Sequence, residues 1–134
     1  MANDCIPYKR PGQDLSAKAS AAVTGKRFVK VTGNRTSGPG LAATGEGSVY
    51  TMGPNTAGVR AAGVAAWDAA LGEIFNVICA GVVPVTAGAA ITAGQEVESD
   101  ATGQAIPLAS GKALGVALSG ASSGQDAEIM LALQ

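Results

Sequence analysis

Short apolar segments alternate with turn-forming residues along most of the chain. Residues 27–31 (RFVKV) mix polar and apolar positions as in a half-buried β-strand, and residues 74–79 (IFNVIC) give the strongest signal for a buried strand. Further short apolar or β-branched segments are residues 48–52, 82–85, 96–97, 105–106, 114–118 and 128–131. Their even spacing predicts an all-β domain over residues 21–134, built as a small antiparallel β-barrel or sandwich.

Glycine and proline indicate where these strands end. Turns are predicted at Gly88, Gly94, Gly103, Gly111, Gly120 and Gly124. Pro84 has no backbone N–H, so the strand that contains it is expected at a sheet edge or a bulge.

The segment of residues 57–71 allows two interpretations. It is rich in alanine and could form a helix that places Trp67 and Leu71 on one face. Gly58 and Gly63 interrupt it, and each costs a helix about 1 kcal/mol relative to alanine. We therefore favour a strand over residues 59–64 and a turn at 67–69. Trp67 is expected to anchor either the core or a contact between subunits, as are Phe28 and Phe75.

Residues 1–20 are predicted to form an extended N-terminal arm. Pro7 and Pro11 prevent a regular helix or strand through this segment. Tyr8, Lys9 and Arg10 lie between the two prolines. Such a segment is either a frayed terminus or an arm that binds a partner, in which case Tyr8 is a suitable anchor.

The composition points to association and argues against nucleic acid. Hydrophobic residues make up 47% of the 134, but the chain contains 27 Ala and 19 Gly, so large core side chains are few. Small side chains stabilise a core less on burial, and contact with another surface can supply the difference. The net charge of −1 and 4% aromatic residues are unlike those of nucleic-acid-binding proteins. The chain has no apolar segment long enough to predict a membrane span.

Positive and negative charges are divided unevenly along the chain. Residues 1–60 contain eight Lys or Arg and three Asp or Glu, whereas residues 61–134 contain one Lys and seven acids. If the two halves separate in space, the molecule has a basic side that includes the arm, and this would orient it on a charged partner. The alternative is a pair of ordinary solvated faces.

Few residues are available for catalysis or metal binding. The chain has no histidine, which excludes the usual Ser-His-Asp and Cys-His centres and histidine-based metal sites. Cys5 and Cys79 have no C-x-x-C spacing; they could form one disulfide, but two free thiols are favoured. Residues 120–124 spell G-x-S-x-G, the pattern of a nucleophile elbow, but without a histidine base a hairpin loop is predicted.

One acidic cluster remains as a candidate. Glu96, Glu98 and Asp100 alternate along a predicted strand and therefore share a face. Three carboxylates there could bind a hard cation or serve acid–base chemistry. The neighbouring Ser, Thr and Gly residues favour a solvated strand face instead.

The chain resembles the capsid decoration, or cement, proteins of tailed phages, especially phages of actinobacteria. The residues that carry the resemblance are 1–8 (MANDCIPY), 11–15 (PGQDL), 22–29 (AVTGKRFV), 81–88 (GVVPVTAG), 91–97 (ITAGQEV), 107–111 (PLASG) and 115–129 (GVALSGASSGQDAEI). They span almost the whole chain, and their order and combination carry the likeness.

This resemblance implies a structural virion protein without catalysis or cofactors. Such proteins bind the outside of an HK97-type capsid, often as trimers at three-fold and quasi-three-fold positions, and cement capsomers against internal DNA pressure. The implied fold is a small β-barrel or β-tulip with an N-terminal arm. The expected partners are the major capsid protein and the chain itself, as a homotrimer, with neither nucleic acid nor membrane. The expected location is the outer capsid surface of a virion made in the bacterial cytoplasm. From the arm argument, Pro7, Tyr8, Lys9 and Arg10 are expected to contact the capsid.

Two other function classes stay open. Residues 87–97 (AGAAITAGQEV) have the shape of a segment found in β-clip modules, which would bind a carbohydrate or another small ligand. An enzyme that uses only carboxylates, such as a lyase or glycosidase, is less favoured because it needs a deep cleft and more aromatic surface.

Overall fold

A computed structural model describes residues 14–35 and 49–133 of the chain, and within these ranges it contains ten β-strands and no helix. The strands are β1 (Asp14–Ala19), β2 (Phe28–Gly33), β3 (Tyr50–Pro54), β4 (Gly63–Ala65), β5 (Ile74–Ile78), β6 (Val82–Thr86), β7 (Glu96–Ser99), β8 (Ala105–Pro107), β9 (Gly115–Ser119) and β10 (Asp126–Leu131). The prediction of an all-β fold is confirmed.

The first five strands form a closed barrel and the last five form a second sheet. The barrel order is β1-β3-β2-β4-β5, closed by β1 against β5 with Ala17 opposite Phe75. The second sheet has the order β6-β10-β9-β7-β8. The strands pair antiparallel, as predicted, except that β1 and β3 are parallel. A closed ring of five strands cannot alternate direction all the way round, so at least one neighbouring pair must be parallel.

Two hydrophobic cores meet at β2 and β4. Phe28 and Val29 are successive residues and so point to opposite faces of β2, yet both are at most 1% exposed. Val29 packs inside the barrel, whereas Phe28 packs with its cross-strand neighbour Val64 in the core under the second sheet. The strand predicted at residues 27–31 is confirmed. Its residues Phe28 and Val29 are buried on opposite faces, and within this range only Val31 is exposed, at 60%.

Strand β5 is half-buried rather than fully buried. Phe75 and Val77 point into the barrel and are inaccessible, while Ile74 is 50% exposed on the outer surface. The strand predicted at residues 74–79 is confirmed. Its buried side chains are those that face the barrel interior, and the outer face of the barrel is uncovered at Ile74.

The segment of residues 57–71 contains no helix. Only β4, Gly63–Ala65, is regular, and a Cβ at Gly63 would lie 2.5 Å from the carbonyl oxygen of Ile78. Glycine is therefore needed for the close approach of β4 to β5. Trp67 follows in a bend and is 53% exposed, so of its two expected roles the core is excluded and the contact between subunits stays a prediction. The prediction that Phe28 and Phe75 anchor the core is confirmed.

Residues 1–13 of the expected arm lie outside the described residues. Its described part, β1, is extended and pairs on one side with β5 and on the other with β3. The side chains that β1 buries completely or nearly so are Ala17 and Ala19. Two alanines carry little hydrophobic signal, which explains why the sequence did not indicate a barrel strand here.

The predicted turns connect the strands of the second sheet. Residues 120–124 join β9 to β10, which confirms the hairpin loop, and Pro84 lies on the edge strand β6 as predicted. Gly103 and Gly124 both have positive φ, at 86° and 87°. They differ in their surroundings: a Cβ at Gly103 would lie 2.7 Å from the carbonyl oxygen of Phe28, whereas at Gly124 it would meet nothing within 4 Å.

Gly103→Ala should therefore destabilise the protein more than Gly124→Ala. We expect a loss of about 1–2 kcal/mol in the free energy of unfolding for Gly124→Ala, from the left-handed conformation alone. Gly103→Ala should cost about 2–5 kcal/mol, because the new methyl group also presses on β2. Chemical denaturation of both variants measures the difference, and equal losses would show that the loop does not clamp β2.

Candidate functional site: exposed binding surfaces

The residues expected to contact a capsid fall outside the described ranges. Pro7, Tyr8, Lys9 and Arg10 all precede Asp14, where the described chain begins. The described residues form two exposed apolar surfaces and one pocket that are candidates for binding.

An apolar row crosses the outer face of the second sheet. Met130 lies opposite Val82 on one side and opposite Val116 on the other. Val82 is 50% and Met130 45% exposed, and Val116 is half-buried. We call Val82, Met130 and Val116 the apolar row. Adjacent exposed apolar side chains of this kind are typical of a contact with another protein.

A second exposed apolar group lies on the barrel. Trp67, Leu71 and Ile74 are 53%, 71% and 50% exposed. The loop of Trp67 is held in place by Asp68, whose carboxylate accepts a hydrogen bond of 2.8 Å from the backbone N–H of Gly25. The position of Trp67 agrees with the second role expected for it, a contact between subunits, and that role stays a prediction.

Glu98 of the acidic cluster supports a loop from inside. It is only 6% exposed, and its Oε2 accepts hydrogen bonds of 2.7 Å and 2.9 Å from the backbone N–H groups of Ala109 and Gly111. Glu96 is exposed. The solvated face expected here was therefore wrong for Glu98, because the loop after β8 folds over it, and no local pattern in residues 109–111 signalled that contact.

Asp100 of the same cluster closes a tight turn. Its Oδ1 accepts hydrogen bonds from the backbone N–H and hydroxyl of Thr102, at 2.8 Å and 3.0 Å, and from the N–H of Gln104 at 2.9 Å. Within residues 14–35 and 49–133, no group of three or more His, Cys, Asp or Glu side chains is placed to hold a metal ion. The carboxylates of Glu98 and Asp100 thus stabilise loops.

Cys79 does not have the environment of an activated nucleophile. Its thiol is free and half-buried, and burial, with a smaller effect from Asp14, raises its pKa above the ordinary value. A raised pKa keeps the sulfur protonated and unreactive at neutral pH. Cys5 lies outside the described residues, and the expectation of two free thiols stays a prediction.

A pocket lies where the barrel meets the second sheet. Its volume is about 270 Å³, and its walls include Val23, Phe28 and Pro54 from the barrel side and Thr102 from the loop between β7 and β8. Arg27 also lines it. We call this the junction pocket. The sequence placed Arg27 only as a polar position of a half-buried strand and did not signal a cavity.

Next to the junction pocket, an ion pair ties the barrel to the second sheet. The Lys26 ammonium donates to the Asp126 carboxylate at 2.7 Å, and the Thr86 hydroxyl donates to the same carboxylate at 3.1 Å. The hydrogen bond from Lys26 is the main reason that the pKa of Asp126 is lowered from its ordinary value of 3.8. The pair is exposed, so its contribution to stability is small.

Comparison with known proteins places the chain in a family. A family model described as "Phage cement protein" matches residues 9–133. The chain belongs to the phage cement protein family. The resemblance seen in the sequence, and with it the assignment to a phage structural family, is confirmed.

The fold of this cement protein also occurs in a solved phage structure. The N-terminal base of the head fiber protein gp8.5 of bacteriophage phi29 matches it with a TM-score of 0.69 and 18% sequence identity. The match covers 90% of this chain and 94% of the head fiber chain. At this identity the likeness concerns the fold. None of the curated protein sequences compared with the cement protein matches it.

The described part of the cement protein contains no helix that is long and apolar enough to cross a membrane.

Asp126→Asn should lower the stability of the cement protein slightly at neutral pH and not at all in strong acid. The folded pKa is depressed, so the stabilisation is present above the unfolded value and is lost as the pH falls through the folded value. We expect a loss of less than about 1 kcal/mol at neutral pH. Denaturation at a series of pH values from neutral to below 3.8 checks this. A difference between the two proteins that stays constant over this range would contradict it.

Proposed function

We propose that this cement protein is a non-enzymatic virion component that binds the outer surface of an HK97-type capsid and holds neighbouring capsomers together against internal DNA pressure. The observation that carries the proposal is the family match over residues 9–133. The described carboxylates Glu98 and Asp100 are occupied with backbone contacts, which agrees with a structural role. The carbohydrate-binding alternative inferred from residues 87–97 has no support in the comparisons.

Cementing follows from simultaneous contacts with several capsid subunits. We propose a homotrimer at three-fold and quasi-three-fold positions, where each copy touches a different subunit. Once one copy has bound, the others bind at high effective concentration, so modest individual affinities multiply. A ligand that binds the assembled lattice and not the free subunit stabilises the lattice by mass action.

The apolar row supports the trimer. Val82, Met130 and Val116 are adjacent across three strands, and in the described structure Val82 and Met130 are exposed and Val116 is half-buried. The two cores are built largely from alanine and valine, with Phe28 and Phe75 as their largest side chains. Burial of further apolar surface between copies would therefore add to the stability of each subunit.

The arm is proposed to extend the contact across the capsid. Strand β1 is paired on both sides in the barrel, so Asp14, at its start, has a fixed place in the domain. Pro7, Tyr8, Lys9 and Arg10 would then touch the capsid, Tyr8 as an aromatic anchor and the two cations as partners for acidic groups.

Co-sedimentation with purified expanded capsids of the matching phage tests capsid binding. The full chain should pellet in stoichiometric amounts. The double variant Lys9→Glu, Arg10→Glu should bind at least about 10-fold more weakly, because it repels acidic groups on the capsid. Lys112→Glu with Arg60→Glu is the matched control, since it changes the charge equally at two exposed described positions. A full chain that stays in the supernatant would overturn the proposal, and equal binding of both double variants would overturn the role of the arm.

Met130→Glu should disrupt the trimer. A carboxylate in the middle of the apolar row cannot be desolvated without a partner, so the copies should separate. Light scattering of the free protein and native mass spectrometry of protein eluted from capsids report the mass. Val31→Glu is the control, because Val31 is 60% exposed on the barrel. A wild-type monomer in both measurements, or a trimer in both variants, would contradict this part of the proposal.

A further inference from the structure

We propose that the junction pocket receives an Asp or Glu side chain of the capsid protein, held by the guanidinium group of Arg27. This inference rests on the proposed function and names a contact that neither the family match nor the arm argument supplies. It follows from an unpaired cation, the size of the pocket, and the state of the carboxylates around it.

Arg27 is the unpaired cation. It is half-buried, and its Nε is inaccessible to solvent and has no hydrogen-bond partner among the described residues. Its neighbours in the chain are satisfied: Lys26 donates to Asp126 at 2.7 Å, and Lys30 donates to the Thr56 hydroxyl at 3.0 Å. Arginine stays protonated in proteins, and a half-buried cation without an anionic partner is costly. Because Arg27 lines the junction pocket, a carboxylate entering the pocket could bind the terminal N–H groups of its guanidinium group and offset that cost.

The pocket has the dimensions and lining for one acidic side chain. At about 270 Å³ it is slightly smaller than the sites that take cofactors or drug-sized ligands, which span about 300–1,000 Å³. Val23 and Pro54 provide apolar walls for a methylene group, and Thr24 adds a hydroxyl. A guanidinium group binds a carboxylate through two parallel hydrogen bonds, and partial burial strengthens both.

The carboxylates nearby are already committed. Asp100 accepts three hydrogen bonds within its own turn, and Asp126 accepts from Lys26 and Thr86. Asp68 accepts from the backbone of Gly25. These three carboxylates are therefore engaged elsewhere, and none of the described acids accepts a hydrogen bond from Arg27 Nε. We place the acceptor for the Arg27 guanidinium group on another molecule.

The capsid is favoured over a second copy of the chain as the source of that carboxylate. Lys26, the chain neighbour of Arg27, is hydrogen-bonded to Asp126 and to the backbone of Thr86, which lie at one end of the paired strands β6 and β10, whereas the apolar row lies at the other end. Four residues separate Asp126 from Met130, about 13 Å along the strand. The pocket is thus set apart from the proposed trimer contact. Seven of its nine lining residues belong to the basic half of the sequence, which suits an acidic partner.

Arg27→Gln tests the proposal by two measurements. In co-sedimentation with expanded capsids, Arg27→Gln should bind about 10–100-fold more weakly than wild type, and Arg27→Lys should stay weaker than wild type because it loses the paired hydrogen bonds. Arg60→Gln, the same charge change at an exposed position, should bind within about 3-fold of wild type. Thermal unfolding of the free Arg27→Gln protein should occur at or above the wild-type temperature, because an unpaired buried donor is removed.

The outcomes separate this inference from the proposed function. Wild-type binding with unchanged binding of Arg27→Gln overturns the inference and leaves capsid binding in place, whereas failure of wild type to bind overturns both. A clear drop in the unfolding temperature of Arg27→Gln would assign Arg27 to the fold and also overturn the inference.

Carbodiimide coupling identifies the partner. It joins a lysine amine to an adjacent carboxylate as an amide, so the Arg27→Lys variant bound to capsids should couple at position 27 to an Asp or Glu of the capsid protein. Arg60→Lys, bound and treated in the same way, is the control. Mass spectrometry of the linked peptides reads the result. Linkage at position 27 to a second copy of the chain, or no linkage there, would contradict the capsid as the source.

Discussion

The structure depends on the pairing of β2 with β4, because these two strands lie between the two hydrophobic cores and form a wall that both cores share. Phe28 faces one core and Val29 the other, and Val64 and Ala65 of β4 divide in the same way. The second sheet is fastened to this wall by backbone hydrogen bonds: Phe28 donates to Gly103 at 2.8 Å. A change on β2 therefore reaches the barrel and the second sheet together.

Sharing a wall allows a chain poor in large side chains to form two cores. Alanines such as Ala65 and Ala127 bury little area each, but they allow the sheets to approach closely. Where β2 and β4 are covered on both faces, successive residues contribute alternately to the two cores. Gly63 and Gly103 serve the same end, since a methyl group at either position would collide with the facing backbone. Small residues thus determine how tightly the two sheets pack.

The local sequence pattern predicted most of the strands. It failed for residues whose burial depends on a distant segment that packs over them. β6, β9 and β10 were predicted because their apolar residues and turns lie within a few positions of each other. β1 was missed because its inward residues are alanines, paired with strands more than 30 residues away in sequence. Trp67 was expected either in the core or in a contact between subunits, because its size alone does not show what packs over its loop, and the described structure leaves it half exposed.

The candidate site was less predictable than the fold for the same reason. Glu98 lies in β7 and Arg27 directly precedes β2, and from the sequence each was expected only as a polar position of a strand. Tertiary structure separates them: the loop after β8 provides two N–H donors for Glu98, whereas the loop that approaches Arg27 brings no acceptor. A difference of this kind arises from contacts between distant segments, and no spacing along the chain encodes it.

The arrangement of sheet edges determines how this domain can bind a partner. The barrel is closed and has no free edge. In the second sheet, Pro84 removes a donor from edge strand β6, and the short edge strand β8 is covered in part by the hydrogen bond from Gly88 to Ala105. Edges protected in this way resist the addition of a strand from another protein. Contacts made by these strands are therefore expected to use side chains, which agrees with an exposed apolar row and with an arginine that lines a pocket.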